Sequence, residues 1–160
     1  MSTPQPPSAP GPIRREVLID ASLEEVWDLV SEPQHLVRWF SDEVDMDRRV
    51  GGSVRFTWHG HGSFPGRIER LQPPHVFAFS WLRTGDAAPG EVSTLVEISL
   101  ETTEAGTRVR VVESGFSDLP WSDERRLGYR SDNDLGWARE LAELVEHVRR
   151  AGRSTTTAPE

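Results

Sequence analysis

The apolar positions near the end of the chain recur with a helical period. In SDNDLGWARELAELVEHVRR, Ser131 to Arg150, residues Trp137, Leu141, Leu144, Val145 and Val148 fall at i, i+4, i+7, i+8 and i+11. Arg139, Glu140, Glu143, Glu146 and Arg149 occupy positions between them. The pattern predicts an amphipathic helix of about five turns, capped by Asp132, Asn133 and Asp134 and stopping at Gly152. A stripe of that width needs a broad apolar surface to cover it, and the upstream chain supplies one with strand periodicity.

Ile13 to Asp20 alternates Arg15, Val17 and Ile19 with Arg14, Glu16 and Leu18, a strand. Ser22 and Glu25 form a capping box for a short helix with Leu23, Val26, Trp27 and Val30 on one stripe. Pro33 breaks it and opens a second helix that ends near Phe40. Only strand signals follow. Glu43 to Met46 is short, Asp47 to Gly52 turns on paired glycines suited to positive φ, and Ser53 to His59 alternates Val54, Phe56 and Trp58 with polar residues. Gly60 and Gly62 mark a hairpin tip, Phe64 to Leu71 returns, and Gln72-Pro73-Pro74 turns. His75 to Arg83 carries Phe77, Phe79 and Trp81 on one face, and a loop spans Thr84 to Gly90. Val92 to Leu100 and Thr107 to Ser114 complete the pattern, with Val109, Val111 and Glu113 inward.

One strand, two helices, further antiparallel strands and a long final helix define an α+β domain in which a curved sheet grips that helix. The inner positions are wide rings, so either a cavity remains between sheet and helix or the rings fill it as core. Composition narrows the partners. The 160 residues suit one domain, placed at 13–152 between a proline-rich tail at 1–12 and a polar tail at 153–160, both expected to be disordered. A formal charge of −8 with no basic block excludes nucleic acid and an anionic membrane as main partners. No apolar run approaches a membrane span, and the expected location is the cytoplasm. Without cysteine there is no disulfide or thiol chemistry.

Candidate chemistry is sparse. Glu113 ends the inward face of its strand as a carboxylate, either orienting or protonating a ligand or closing a salt bridge to Arg15 or Arg70. His59 and His61 flank a turn and do not complete a zinc site. Asp132, Asn133 and Asp134 lack the downstream glutamate of a calcium loop. No nucleophile elbow, phosphate loop, zincin or dinucleotide motif occurs. No cofactor or metal is expected.

The ordered series ASLEEVWDLVSEPQHLVRWF, Asp47 with Gly51-Gly52, PPHVFAFSW, GTRVRVVESGF and Gly136-Trp137 before a leucine-rich helix resembles the AHSA1-like branch of the START/Bet v 1 superfamily across residues 13–150. The resemblance implies a helix-grip fold with a cavity for hydrophobic small molecules. Some related groups are polyketide aromatases or cyclases, others are co-chaperone domains that activate Hsp90, and a few protect producing bacteria from their own antibiotics. Where relatives carry what looks like histidine, this chain has Glu113. The candidate ligand-contacting set is Trp39, Phe40, Phe56, Trp58, Phe64, Phe77, Phe79, Trp81, Val96, Val111, Glu113, Tyr129, Asn133, Trp137 and Leu141.

Three functions compete on this reading. The first is a non-catalytic, monomeric binder of a hydrophobic, polycyclic aromatic molecule, with sequestration of a toxic natural product as one use. An aromatase or cyclase needs a tuned acid and base pair, for which Glu113 has only Tyr129 and His75 as distant companions. A co-chaperone-like module needs a basic or apolar partner surface. Pro33 to Ser41 and Thr84 to Gly90 are the expected gate segments.

Overall fold

The computed structural model describes residues 10–82 and 93–156, with side chains to residue 151. Strand β1 (Ile13–Ile19) leads into α1 (Leu23–Ser31) and α2 (Pro33–Trp39). Strands β2 (Glu43–Met46), β3 (Ser53–Trp58), β4 (Gly62–Gln72), β5 (Val76–Trp81), β6 (Thr94–Thr103) and β7 (Gly106–Ser114) follow, then a 3-10 turn at Phe116–Asp118 and α3 (Asp123–Thr156). The seven strands form one antiparallel sheet ordered β1-β7-β6-β5-β4-β3-β2. Each strand from β2 to β6 lies beside its successor, and β1 pairs with β7. The sheet curves around α3, and α1 and α2 close one end: this is the helix-grip arrangement.

Local chemistry explains the short helices. The Ser22 hydroxyl accepts from the Glu25 amide at 3.2 Å while the Glu25 carboxylate receives the Ser22 amide at 3.4 Å, the reciprocal box expected from the sequence. Glu32 alone separates α1 from α2, with Pro33 opening the second helix. Arg48, in the turn after β2, fixes this joint by donating to the Ser31 carbonyl at 3.1 Å and hydroxyl at 3.0 Å and lying 3.5 Å from Glu32. Of the paired turn glycines, Gly51 takes positive φ at 86°, but Gly52 does not. Gly52 is required because a Cβ there would overlap the Asp47 carbonyl.

The final helix departs from the expectation at both ends. It begins at Asp123 rather than Ser131, with the Ser122 hydroxyl accepting from the Arg125 amide at 3.2 Å. Asp132, Asn133 and Asp134 are therefore interior helical residues and cap nothing. Periodicity missed the first turns because Asp123 to Arg130 is polar, although Glu, Arg and Leu are good helix formers. The helix also runs through Gly152 to Thr156; a glycine costs a helix about 1 kcal/mol and does not oblige it to stop. Residues 1–9, 83–92 and 157–160, including the Thr84–Gly90 loop and much of both tails, lie outside the described residues. The end of the N-terminal segment is held: Pro10 is buried, and Arg130 donates to the carbonyls of Gly11 and Pro12 at 2.7 and 2.8 Å.

The core lies between sheet and α3, where Val96, Ile98, Val109, Val111, Leu141 and Leu144 are buried. One ion pair ties the sheet edge to the helix: Arg15 Nε donates to Asp134 Oδ1 at 2.8 Å. That hydrogen bond, helped by the charges of Arg15 and Arg130 and opposed by partial burial, holds the Asp134 carboxyl below the ordinary value of 3.8. A depressed folded value means the contribution is complete above the unfolded value and is lost as pH falls through the folded one.

Two outcomes follow from this packing. Leu141→Ala or Leu144→Ala should lose about 2–5 kcal/mol in urea unfolding, and an unchanged midpoint for both would refute the grip. Asp134→Asn should flatten the fall of stability below pH 3.8. Both partners are partly exposed, at 39% and 30%, so the effect is at most about 1 kcal/mol.

Candidate functional site

Alternation places one side chain in two on the concave face, and the antiparallel register lines these up across the strands. Phe56 of β3 faces Phe64 of β4, Phe79 of β5 lies between Ile68 and Val96, and Phe77 pairs with Ile98. The rings mostly contact each other. Phe56 meets Phe40 edge-on at 5.1 Å, Phe79 meets Trp81 at 5.2 Å and 86°, and Phe40 meets Trp58 at 5.2 Å. Much of the concave face is thus packed core, the alternative left open by the sequence.

Phe40, just beyond α2, has a distinct position. Its ring lies nearly parallel to Trp137 of α3 (5.4 Å, 19°) and to Trp81 of β5 (6.1 Å, 25°), and the two indoles are themselves 6.2 Å apart, so the three rings form one compact cluster. An opening of about 150 Å3 adjoins it, lined by Phe40, Trp58, Trp81, Asn133 and Trp137 and rimmed by His61, Arg139 and Glu140. Trp58 donates its indole N–H to the Phe40 carbonyl at 2.9 Å and to Glu140 at 3.1 Å, which joins β3 to the segment after α2 and to α3.

Glu113 lies beneath these residues and is wholly buried. Its Oε2 accepts from Trp81 Nε1 at 3.0 Å, Thr94 Oγ1 at 2.6 Å and Asn133 Nδ2 at 3.1 Å, while Oε1 accepts from Trp137 Nε1 at 2.9 Å. The expected salt bridge is absent among the described residues. Arg15 is committed to Asp134, and Arg70, half exposed, lies 3.6 Å from Glu97. Neutral donors replace the cation because β5, β6 and α3 already direct two indoles, a hydroxyl and an amide at this point. Each of those groups would itself be costly to bury without a partner.

The site gathers part of the expected set. Phe40, Trp58, Trp81, Asn133 and Trp137 line the opening and Glu113 supports it. Trp39 is turned to the helix pair, donating to the Leu29 carbonyl at 2.7 Å. Phe64 packs on Trp58 at 6.0 Å, and Val96, Val111 and Leu141 are core. Tyr129 packs on Phe116 and Trp121 beside the 3-10 turn, and His75 Nδ1 contacts the Leu100 carbonyl at 3.1 Å, so neither joins Glu113. His59, fully exposed, has its pKa raised by a hydrogen bond to Glu43 and by the charges of Asp42 and Glu43. No group of three or more His, Asp or Glu able to hold a metal ion occurs among the described residues. Sequence reading missed Thr94 and the donor role of the indoles. The i, i+4 spacing of Asn133 and Trp137 together with an inward glutamate was the available signal.

A curved antiparallel sheet gripping one long helix, with a buried polar cluster under an aromatic opening, defines a helix-grip domain. Residues 20–149 match the model of the Activator of Hsp90 ATPase homolog 1-like family, AHSA1, and the chain belongs to that family. Among solved structures, protein MLL2253 from Mesorhizobium loti is 20% identical with a TM-score of 0.73, over 87% of this chain and 97% of its own. CalU16 from Micromonospora echinospora is 28% identical with a TM-score of 0.62, over 86% and 73%. DynU16, a protein of the dynemicin biosynthetic locus, is 19% identical with a TM-score of 0.72, and the match covers 88% of this chain but only 48% of DynU16. No curated protein matches the chain.

The cluster makes a direct prediction. Glu113→Ala removes the acceptor that four donors share and should cost about 3 kcal/mol, with loss of the near-ultraviolet indole signal. An unaltered unfolding midpoint would show that the four bonds do not form in solution.

Proposed function

We propose that this domain binds a hydrophobic, polycyclic aromatic small molecule between the sheet and α3, as a monomer in the cytoplasm, without transforming it. The observation that carries the reading is the near-parallel packing of Phe40 against Trp81 and Trp137, at 25° and 19°, beside the opening that all three line. A flat guest would take the place of the phenyl ring and pack against both indoles, gaining more than the burial of its area alone. Phe40 follows α2 and could swing out toward the opening, enlarging a space of about 150 Å3. Glu113, bound to both indoles, would keep them in the orientation that receives the guest.

The natural-product context of DynU16 supports a guest of this kind, with sequestration of a toxic product as its use. A cyclase would need an acid and base free to exchange protons with the guest. Glu113 is instead occupied by four donors, which favours binding over catalysis.

Titration with a panel of soluble anthraquinones should quench indole fluorescence and raise the melting temperature, with affinity near micromolar, roughly −8 kcal/mol. Phe40→Ala should strengthen binding by vacating the slot. Absence of quenching, melting shift and chemical-shift change at Trp58, Trp81 and Trp137 would mean a filled core. Chemical conversion of a guest that Glu113→Gln abolishes would replace the binding reading with an enzymatic one.

A further inference from the structure

A second cleft, of about 450 Å3, lies where the last turns of α3 meet α1 and α2. Ala21, Leu29 and Val148 give it an apolar lining. Its charges are sorted by element. Asp20, Glu25 and Asp28 come from the end of β1 and from α1, whereas His35 and Arg38 come from α2 and His147 from α3. No ion pair joins the cleft carboxylates to Arg38 among the described residues.

Elsewhere on the surface opposite charges pair readily, as Arg108 does with Glu16 and Glu101. In the cleft, Glu25 is engaged by Ser22, but the side chains of Asp20, Asp28 and Arg38 make no hydrogen bond or ion pair among the described residues. Unpaired acids and an unpaired guanidinium thus border one apolar hollow without meeting. A molecule with only an apolar body would leave both signs unanswered, and a molecule with one charge would answer only one.

We propose that this cleft binds a zwitterionic, amphipathic small molecule of the amino-acid or dipeptide class, its ammonium on Asp20 and Asp28, its carboxylate on Arg38, and its side chains on Leu29 and Val148. The site is separate from the aromatic opening and does not depend on the reading given for it. His147 adds a pH dependence. Burial, then the charges of Arg150, Arg38 and His35, hold its pKa below the ordinary value of 6.5, with Glu143 opposing. A guest carboxylate beside it favours the protonated ring, so binding takes up a proton and strengthens as pH falls below 6.5.

The test is a titration of the full chain, by amide NMR and calorimetry, with the dipeptide leucyl-phenylalanine, its N-acetyl form and its C-terminal amide. The free dipeptide should shift Leu29, Arg38, His147 and Val148 saturably and leave the indoles of Trp58 and Trp81 unmoved. Either cap should weaken binding by about tenfold or more. Arg38→Gln should erase the difference between the free and amide forms, and the pair Asp20→Asn with Asp28→Asn should erase that between the free and acetylated forms. These side chains are exposed, so the variants keep the fold. Equal binding of all three forms, absence of saturable shifts in the cleft, a response at the indoles instead, or cap penalties that survive the substitutions would each overturn the proposal.

Discussion

The burial of Glu113 is the constraint on which the two layers of the domain depend. A carboxyl group removed from water loses its hydration, and here four donors from β5, β6 and α3 replace it. Hydrophobic contact holds helix and sheet together, but it is non-directional and would tolerate sliding of one over the other. Four hydrogen bonds converging on two oxygen atoms do not tolerate it. They fix the rotation of α3 about its axis and its translation along the sheet, because Asn133 and Trp137 reach the carboxyl only in one register.

The same cluster explains why so aromatic an interior retains polar order. Trp81 and Trp137 each present a large apolar face and one N–H, and a buried indole N–H needs an acceptor. Glu113 satisfies both indoles at once and leaves their faces turned toward Phe40. Shape at the opening is thus set from below by a polar group that does not itself line it.

Much of this was legible in the sequence. Period two from Ser53 onward, the capping box at Ser22 and the stripe on Trp137, Leu141 and Leu144 specify the strands, the paired short helices and the gripped face, because burial of one face leaves a strong imprint on residue choice. The inward position of Glu113 followed from alternation alone. Its partners did not, since hydrogen-bond direction depends on how α3 is rotated over the sheet, which no local pattern records. The start of α3 was illegible for a related reason: Asp123 to Arg130 shows no apolar stripe of the kind periodicity detects. Trp39 shows the limit of counting rings, because its indole is drawn to a carbonyl of α1 and not to the opening.

The two margins of the sheet have a consequence of another kind. Open strand edges invite other chains to add to them, and long, flat, apolar ones are aggregation templates. Here one margin is β2, four residues long, with acidic Glu43 and Asp45 along it. The other, β1, carries Arg14 and Glu16 on its outer face and is strapped to α3 through Arg15. Both margins therefore discourage growth of the sheet from one copy into the next. A lasting association of this domain with another molecule has to be made through a face, where side chains rather than backbone determine which partner is accepted.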